Sequence, residues 1–155
     1  MKNIWHNTNT NINIRLLRTC IFPVATYGCE SWTITQTIRN KLNSFELKCY
    51  RKILRISRTA KVKNNDILKL LNIEESWLVK NILARKLKYY GHVKRHSSME
   101  RQVMEGRVPG SRGRGRPRRR WFQDIKDTLQ MTSDEVGSLA RDRDSFRRAV
   151  MRATF

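Results

Sequence analysis

Between Gly106 and Trp121 the chain has no means of building a regular element of its own. The stretch Gly106-Arg-Val-Pro-Gly-Ser-Arg-Gly-Arg-Gly-Arg-Pro-Arg-Arg-Arg-Trp121 holds seven arginines, four glycines and no acid. Glycine loses the most backbone freedom on ordering, and Pro117 lacks an amide donor and locks φ. Val108 is the one apolar anchor before Trp121. The chain must therefore fold as a body before this stretch and a shorter tail after it. The stretch itself is expected to be an extended, flexible, cationic arm, and a polyanion is needed to order it. The usual polyanion is nucleic acid.

Overall charge points the same way. Thirty-three Lys and Arg stand against 13 Asp and Glu, a formal charge of +20 over 155 residues. Such an excess repels itself in a compact fold unless anions gather around it. Nucleic acid is the first candidate, an anionic membrane surface the second and an acidic protein the third. No apolar run approaches the roughly 18 residues of a membrane span, so no membrane partner is expected. Three cysteines, Cys20, Cys29 and Cys49, are an odd count. Free thiols in a reducing, nuclear or cytoplasmic, setting follow.

The large apolar side chains concentrate between residues 12 and 93. Residues 1–11 are polar, rich in Asn and Thr, and expected to be disordered. A helical pattern starts near Asn13 with Leu16, Leu17, Cys20, Ile21 and Val24, and Pro23 is expected to bend or end it. Tyr27 to Trp32 reads as a turn. From Thr37 to Ile56 the apolar positions Ile38, Leu42, Phe45, Cys49, Ile53 and Ile56 recur at three- and four-residue steps, one face of a helix, which Leu47, Tyr50 and Leu54 widen. Asn64 or Asn65 is the expected cap of a short helix over 66–71, and Asn72 its stop. A long helix over 75–95 carries two adjacent stripes, Val79, Leu83, Leu87, Tyr90 and Leu78, Ile82, Tyr89, Val93. Lys80, Arg85, Lys88 and Arg95 point away from them. After the arm, Trp121, Ile125 and Leu129 recur every four residues beside Phe122. Thr132 to Glu135 fits a capping box. A last helix over 144–153 aligns Phe146, Ala149, Val150 and Ala153. Strand-like alternation is absent, and the fold class is all-α.

Catalytic groups are scarce. The closest carboxylate pairs, Asp124/Asp127 and Asp142/Asp144, read as solvated helix charges or helix-dipole partners rather than as a two-metal centre. His92 and His96 stand one helical turn apart, but no Glu follows His92 and no Cys-x-x-Cys pair exists, so no metal site is expected. No phosphate-cradling Gly-rich loop and no Gly-x-Ser-x-Gly elbow is present. The residues imply no cofactor and no enzyme activity of their own.

Binding is better supported. The candidate nucleic-acid-binding residues are Arg112, Arg114, Arg116, Arg118, Arg119 and Arg120 in the arm, with Lys88 and Arg95 on the long helix. Arg114-Gly-Arg-Pro117 has the form of an AT-hook core, in which the glycine lets backbone enter a narrow minor groove. A generic Arg/Gly arm on phosphates and a nuclear import signal remain alternatives. Trp121 fits a core anchor better than a stacking platform. The helices over 66–71 and from 75 are spaced like a helix-turn-helix, but the second is apolar on two faces. A basic surface following a phosphate backbone therefore suits it better than base reading.

Five segments in order carry a resemblance. They are 15–34 (Arg-Leu-Leu-Arg-Thr-Cys through Tyr-Gly-Cys-Glu-Ser-Trp-Thr-Ile), 45–57 (Phe-Glu-Leu-Lys-Cys-Tyr-Arg-Lys-Ile-Leu-Arg-Ile-Ser), 85–95 (Arg-Lys-Leu-Lys-Tyr-Tyr-Gly-His-Val-Lys-Arg), 113–121 and 140–148 (Ala-Arg-Asp-Arg-Asp-Ser-Phe-Arg-Arg). The order resembles the C-terminal region of endonuclease/reverse transcriptase proteins of non-LTR (LINE-type) retrotransposons, over residues 12 to 153. The resemblance implies a helical thumb-like domain over 12–98, a basic flexible arm over 99–118 and a C-terminal helical segment over 119–155. It implies an RNA template, DNA or an RNA/DNA hybrid as partner, with a polymerase palm supplied separately. The family's paired catalytic aspartates have no counterpart, since no Asp-Asp occurs in the chain. The expectation is thus a nucleic-acid-binding fragment of an RNA-directed DNA polymerase that cannot polymerise. The alternative is a helical protein-interaction scaffold. A thumb without its palm would leave Phe22, Tyr27 and Trp32 exposed.

Overall fold

The computed structural model describes residues 9–97, 99–105, 109–110, 114–115 and 119–155. Among them all regular structure is helical, with no strand, as the periodicity requires. No helix of the described residues is long and apolar enough to cross a membrane. The chain divides into two compact units, Met1–Tyr27 with Gln36–Val79, and Gly28–Thr35 with Lys80–Phe155. The division falls inside the long helix, between Val79 and Lys80.

In the first unit, helix α1 (Thr10–Leu16) starts three residues earlier than its apolar pattern, because the Asn9 side chain accepts the Asn11 amide at 3.2 Å. Residues 9–11, expected in a disordered leader, form this cap and first turn. Pro23 does not end the helix. The chain widens into a π-helical turn over Leu17–Ile21 and continues as α2 (Phe22–Ala25), with Pro23 in the first turn, where its missing amide costs little. Helix α3 spans Gln36–Ile53 and α4 spans Asn64–Leu70. Lys63 stands at the N-cap of α4 with no side-chain bond, so the expected Asn cap is not used. Its stop is as expected. Asn72 takes φ +51°, its amide bonds the Lys69 carbonyl, and the Ile73 amide bonds Leu68. Phe22 is 1% exposed, stacked on Trp77 with centroids 5.6 Å apart and tilted against Phe45. Its expected exposure is therefore corrected. Trp32 is half-buried and Tyr27 is exposed.

The deepest line of α3 is Glu46 and Tyr50, one residue on from the expected Phe45–Cys49 line. The reason is a carboxylate. Glu46 accepts the Tyr50 hydroxyl at 2.6 Å, the Ser76 hydroxyl at 2.5 Å and the amides of Trp77 and Leu78 at 3.1 and 3.3 Å. It thereby caps helix α5 (Trp77–Arg95) from 30 residues away in sequence. Burial and the Glu46 bond push the Tyr50 phenol well above its ordinary range.

The second unit takes α5 from Lys80 onward and adds α6 (Met99–Met104), α7 (Gln123–Leu129), α8 (Ser133–Leu139) and α9 (Arg143–Thr154). Its core joins Leu87 and Tyr90 of α5, Ile125 and Leu129 of α7, Val136 of α8, and Phe146 and Val150 of α9. The Thr132–Glu135 capping box forms, with Glu135 Oε2 accepting the Thr132 amide at 2.7 Å. Asp142 caps α9 by accepting the Asp144 amide, so this acid pair serves a helix N-terminus as read. Helix α6 occupies 99–104, within the stretch expected to be flexible. Glu105, just after it, accepts Lys94 at 2.6 Å and Arg101 at 3.0 Å, and these cations hold its carboxyl down at about 2. Met104 packs against the core. An apolar residue and an acid thus tie down what composition alone read as arm.

Gly91 is required by packing. A Cβ there would lie 2.6 Å from Phe146 Cε1, closer than carbon atoms approach. Gly91→Ala is expected to destabilise the second unit by about 1–3 kcal/mol, despite alanine's better helix propensity. A urea titration reads this, and an unchanged or raised midpoint would show that Phe146 gives way freely.

Candidate nucleic-acid interface

Helix α5 presents Lys88, His92 and Arg95 at steps of four and three residues, all exposed. These steps set them on one face, with Lys88 and Arg95 about 10 Å apart along the axis. Arg95 also donates from Nη1 to the Ala140 carbonyl at 3.0 Å, so it closes the end of α8 as well as facing solvent. The His92 and His96 rings lie 4.4 Å apart, and no group of three metal-binding side chains occurs among the described residues. Arg114 and Arg120 are exposed. Arg112, Arg116 and Arg118 lie outside the described residues.

Arg119 differs from its neighbours. Its Nε donates to Asp124 Oδ1 at 2.8 Å, and its Nη2 pairs with Asp127. Those carboxylates raise the pKa of Arg119, and Arg119 lowers that of Asp127. Arg119 is thus both an exposed candidate binding residue and an ion-paired one, and its two carboxylate partners tie residue 119 to α7.

Asp124 is not a solvated helix charge. It is 2% exposed and forms an ion pair at 2.5 Å with Lys86, itself 1% exposed. The Ile34 amide donates to Asp124 at 2.7 Å, and Lys86 donates to the Trp32 carbonyl at 2.7 Å. Burial pulls the Lys86 pKa down, and the Asp124 bond partly restores it. Trp121 completes the centre. Its ring lies 4.7 Å from Lys86 Nζ, and its Nε1 donates to the Glu30 carbonyl at 2.7 Å. Glu30 pairs with Arg85 at 2.6 Å, so Arg85 does not simply point away. Trp121 is therefore an anchor, as its period indicates. The signal for Lys86 was available, because it sits between Leu83 and Tyr90 at helical spacing, inside the apolar stripes. An ammonium there needs a buried partner.

No family model, curated protein or solved structure matches this chain. Its function has to be argued from its own residues.

One basic surface escaped the sequence reading. No acid occurs between residues 47 and 65, while Lys48, Lys52, Arg58, Lys61 and Lys63 are exposed at the end of α3 and in the connection to α4. Arg51 braces this connection, donating to the Val62 carbonyl at 2.6 Å and to Asn64 Oδ1 at 3.1 Å. Arg55 and Lys61 both take left-handed φ, at +56° and +49°, around the short turn Arg58–Ala60. The acid-free run was legible in the sequence, but it lacks the glycines that drew attention to the arm.

Proposed function

We propose that this chain is a nucleic-acid-binding C-terminal region of a non-LTR retrotransposon reverse transcriptase, with no catalytic centre among its own residues. In this reading the helices before the arm are thumb-like and grip a template–primer duplex. The arm and the Lys88–Arg95 face lie along phosphates. The observation that carries the reading is the arm, with seven arginines and no acid between Gly106 and Trp121. The ordered series of family-like segments supports it, as does the acid-free surface around Lys48 to Lys63. The absence of an Asp-Asp pair supports the lack of polymerase activity.

The test is salt dependence. With about six phosphates neutralised, log K for duplex DNA is expected to fall against log salt with a slope of roughly −5. Replacing Arg112, Arg114, Arg116, Arg118 and Arg120 by alanine, with Arg119 kept for the fold, is expected to reduce the slope by about four. An unchanged slope would remove the arm from the interface. No binding of RNA, duplex or hybrid in dilute buffer would end the proposal.

One observation favours a protein-binding scaffold instead. Val24 and Tyr27, at the end of α2, are 78% and 88% exposed. Retention of an acidic protein without any electrophoretic shift of nucleic acid would support that reading.

A further inference from the structure

A cleft of about 480 Å³ opens in the first unit between α1 with its π-helical turn and the turn that ends α4. One wall is a single helix face. Asn11, Arg15 and Arg18 follow at steps of four and three, with Ile14 beside them. The widened turn, in which the Phe22 amide bonds the Leu17 carbonyl five residues back, begins between the two arginines. Such turns recur at functional sites. The facing wall is Leu71, Asn72 and Ile73. Asn72 stands there in the left-handed conformation.

We propose that this cleft binds one nucleotide, its phosphate on Arg15 and Arg18 and its nucleoside against the Leu71–Ile73 wall. Two guanidiniums line the cleft and no acid does. The guanidinium of Arg18 lies 5.3 Å from the centre of the Trp77 ring and also interacts with the Tyr50 hydroxyl, while its Nε is buried with no acceptor among the described residues. A buried donor without an acceptor is costly, and a phosphate oxygen is the acceptor that suits a guanidinium best. Helix ends repel anions through free carbonyls, but those of Leu68 and Lys69 are taken by the Ile73 and Asn72 amides. The volume is far larger than a bare phosphate needs and lies within the range of small-ligand sites. Ile14, Leu71 and Ile73 give a base or sugar apolar contact, and the Asn11 and Asn72 amides offer donors and acceptors to its edge. Beyond Asn72 and Ile73 lies a second cleft of about 710 Å³, lined by both Lys69 and Glu74 and so without a net cationic lining for a further phosphate.

The inference deepens the nucleic-acid reading and rests on it for the source of the nucleotide. The test is titration of the whole chain with adenosine 5′-monophosphate, with inorganic phosphate and with single-stranded RNA, followed by amide chemical shifts. The monophosphate is expected to shift residues 11–19 and 71–73. Arg15→Glu, at an exposed position, is expected to weaken it by roughly tenfold or more. Asn72→Gly keeps the left-handed backbone and is expected to weaken it by a smaller factor. The arm variant is expected to leave it unchanged. Melting curves confirm that each variant folds. The cleft proposal fails if the monophosphate shifts other residues or none, if Arg15→Glu is silent, or if inorganic phosphate binds as tightly. RNA binding that needs the arm but ignores Arg15→Glu would sink the cleft and leave the function standing. Monophosphate binding in the cleft with no RNA binding would do the reverse.

Discussion

Lys86→Met is expected to lower stability by about 3–5 kcal/mol, because it leaves the Asp124 carboxylate buried without its ammonium partner. Methionine keeps most of the stem's volume, so the loss reports charge rather than a cavity. Asp124 retains the Ile34 amide and its ion pair with Arg119, but that guanidinium is partly exposed and shared with Asp127, so it does not replace the fully covered ammonium. Domains of this size are stable by only about 5–15 kcal/mol, so the variant is expected to be near its unfolding midpoint at 37 °C. Urea unfolding followed by near-ultraviolet circular dichroism measures the change. Adding Asp124→Asn removes a buried charge left with Arg119 alone and is expected to recover part of the loss. If the double variant is no more stable than Lys86→Met, Lys86 acts through its contact with the Trp121 ring instead.

Glu46→Ala is expected to cost about 3 kcal/mol, the second-largest effect. Four donors converge on this buried carboxylate: two hydroxyls and the first free amides of α5. Removing it leaves them without an acceptor in a dry site. Glu46→Gln keeps one acceptor oxygen and is expected to cost about half as much. Hydrogen exchange gives the specific readout. The Trp77 and Leu78 amides are expected to lose protection in the alanine variant beyond the global loss of stability. Unchanged relative protection would show that another group caps α5.

The elements that sequence reasoning located well are those whose cause is local. The period of α5 and α9, the Thr132–Glu135 capping box and the Asn72 stop depend on residues within about four positions of each other. The stripe in α3 was found with Tyr50 at its edge, but Glu46 was missed, since it counts as polar in any periodicity and is in fact part of the core. Pro23 was expected to bend or end the helix, and a π-helical turn precedes it while the helix stops two residues beyond it, at Ala25. Of the proposed interface, Lys88, Arg95, Arg114, Arg119 and Arg120 are all exposed, but Arg119 alone among them is held by two carboxylates. Nothing in the run Arg118-Arg119-Arg120 distinguishes its middle member until Asp124 and Asp127 are seen to hold it.

Helical class and a surplus of cations are properties of composition and short-range spacing, and no long-range contact is needed to read them. The partners of the charged groups are not. Lys86 meets Asp124 across 38 residues of chain, Asp124 meets the Ile34 amide across 90, and Glu46 reaches the start of α5 across about 30. A charge in a linear chain is the same symbol whether it ends in water or in a core. Folding alone brings its counter-charge within hydrogen-bond reach, and that encounter separates the cations that hold this protein together from those left in solvent.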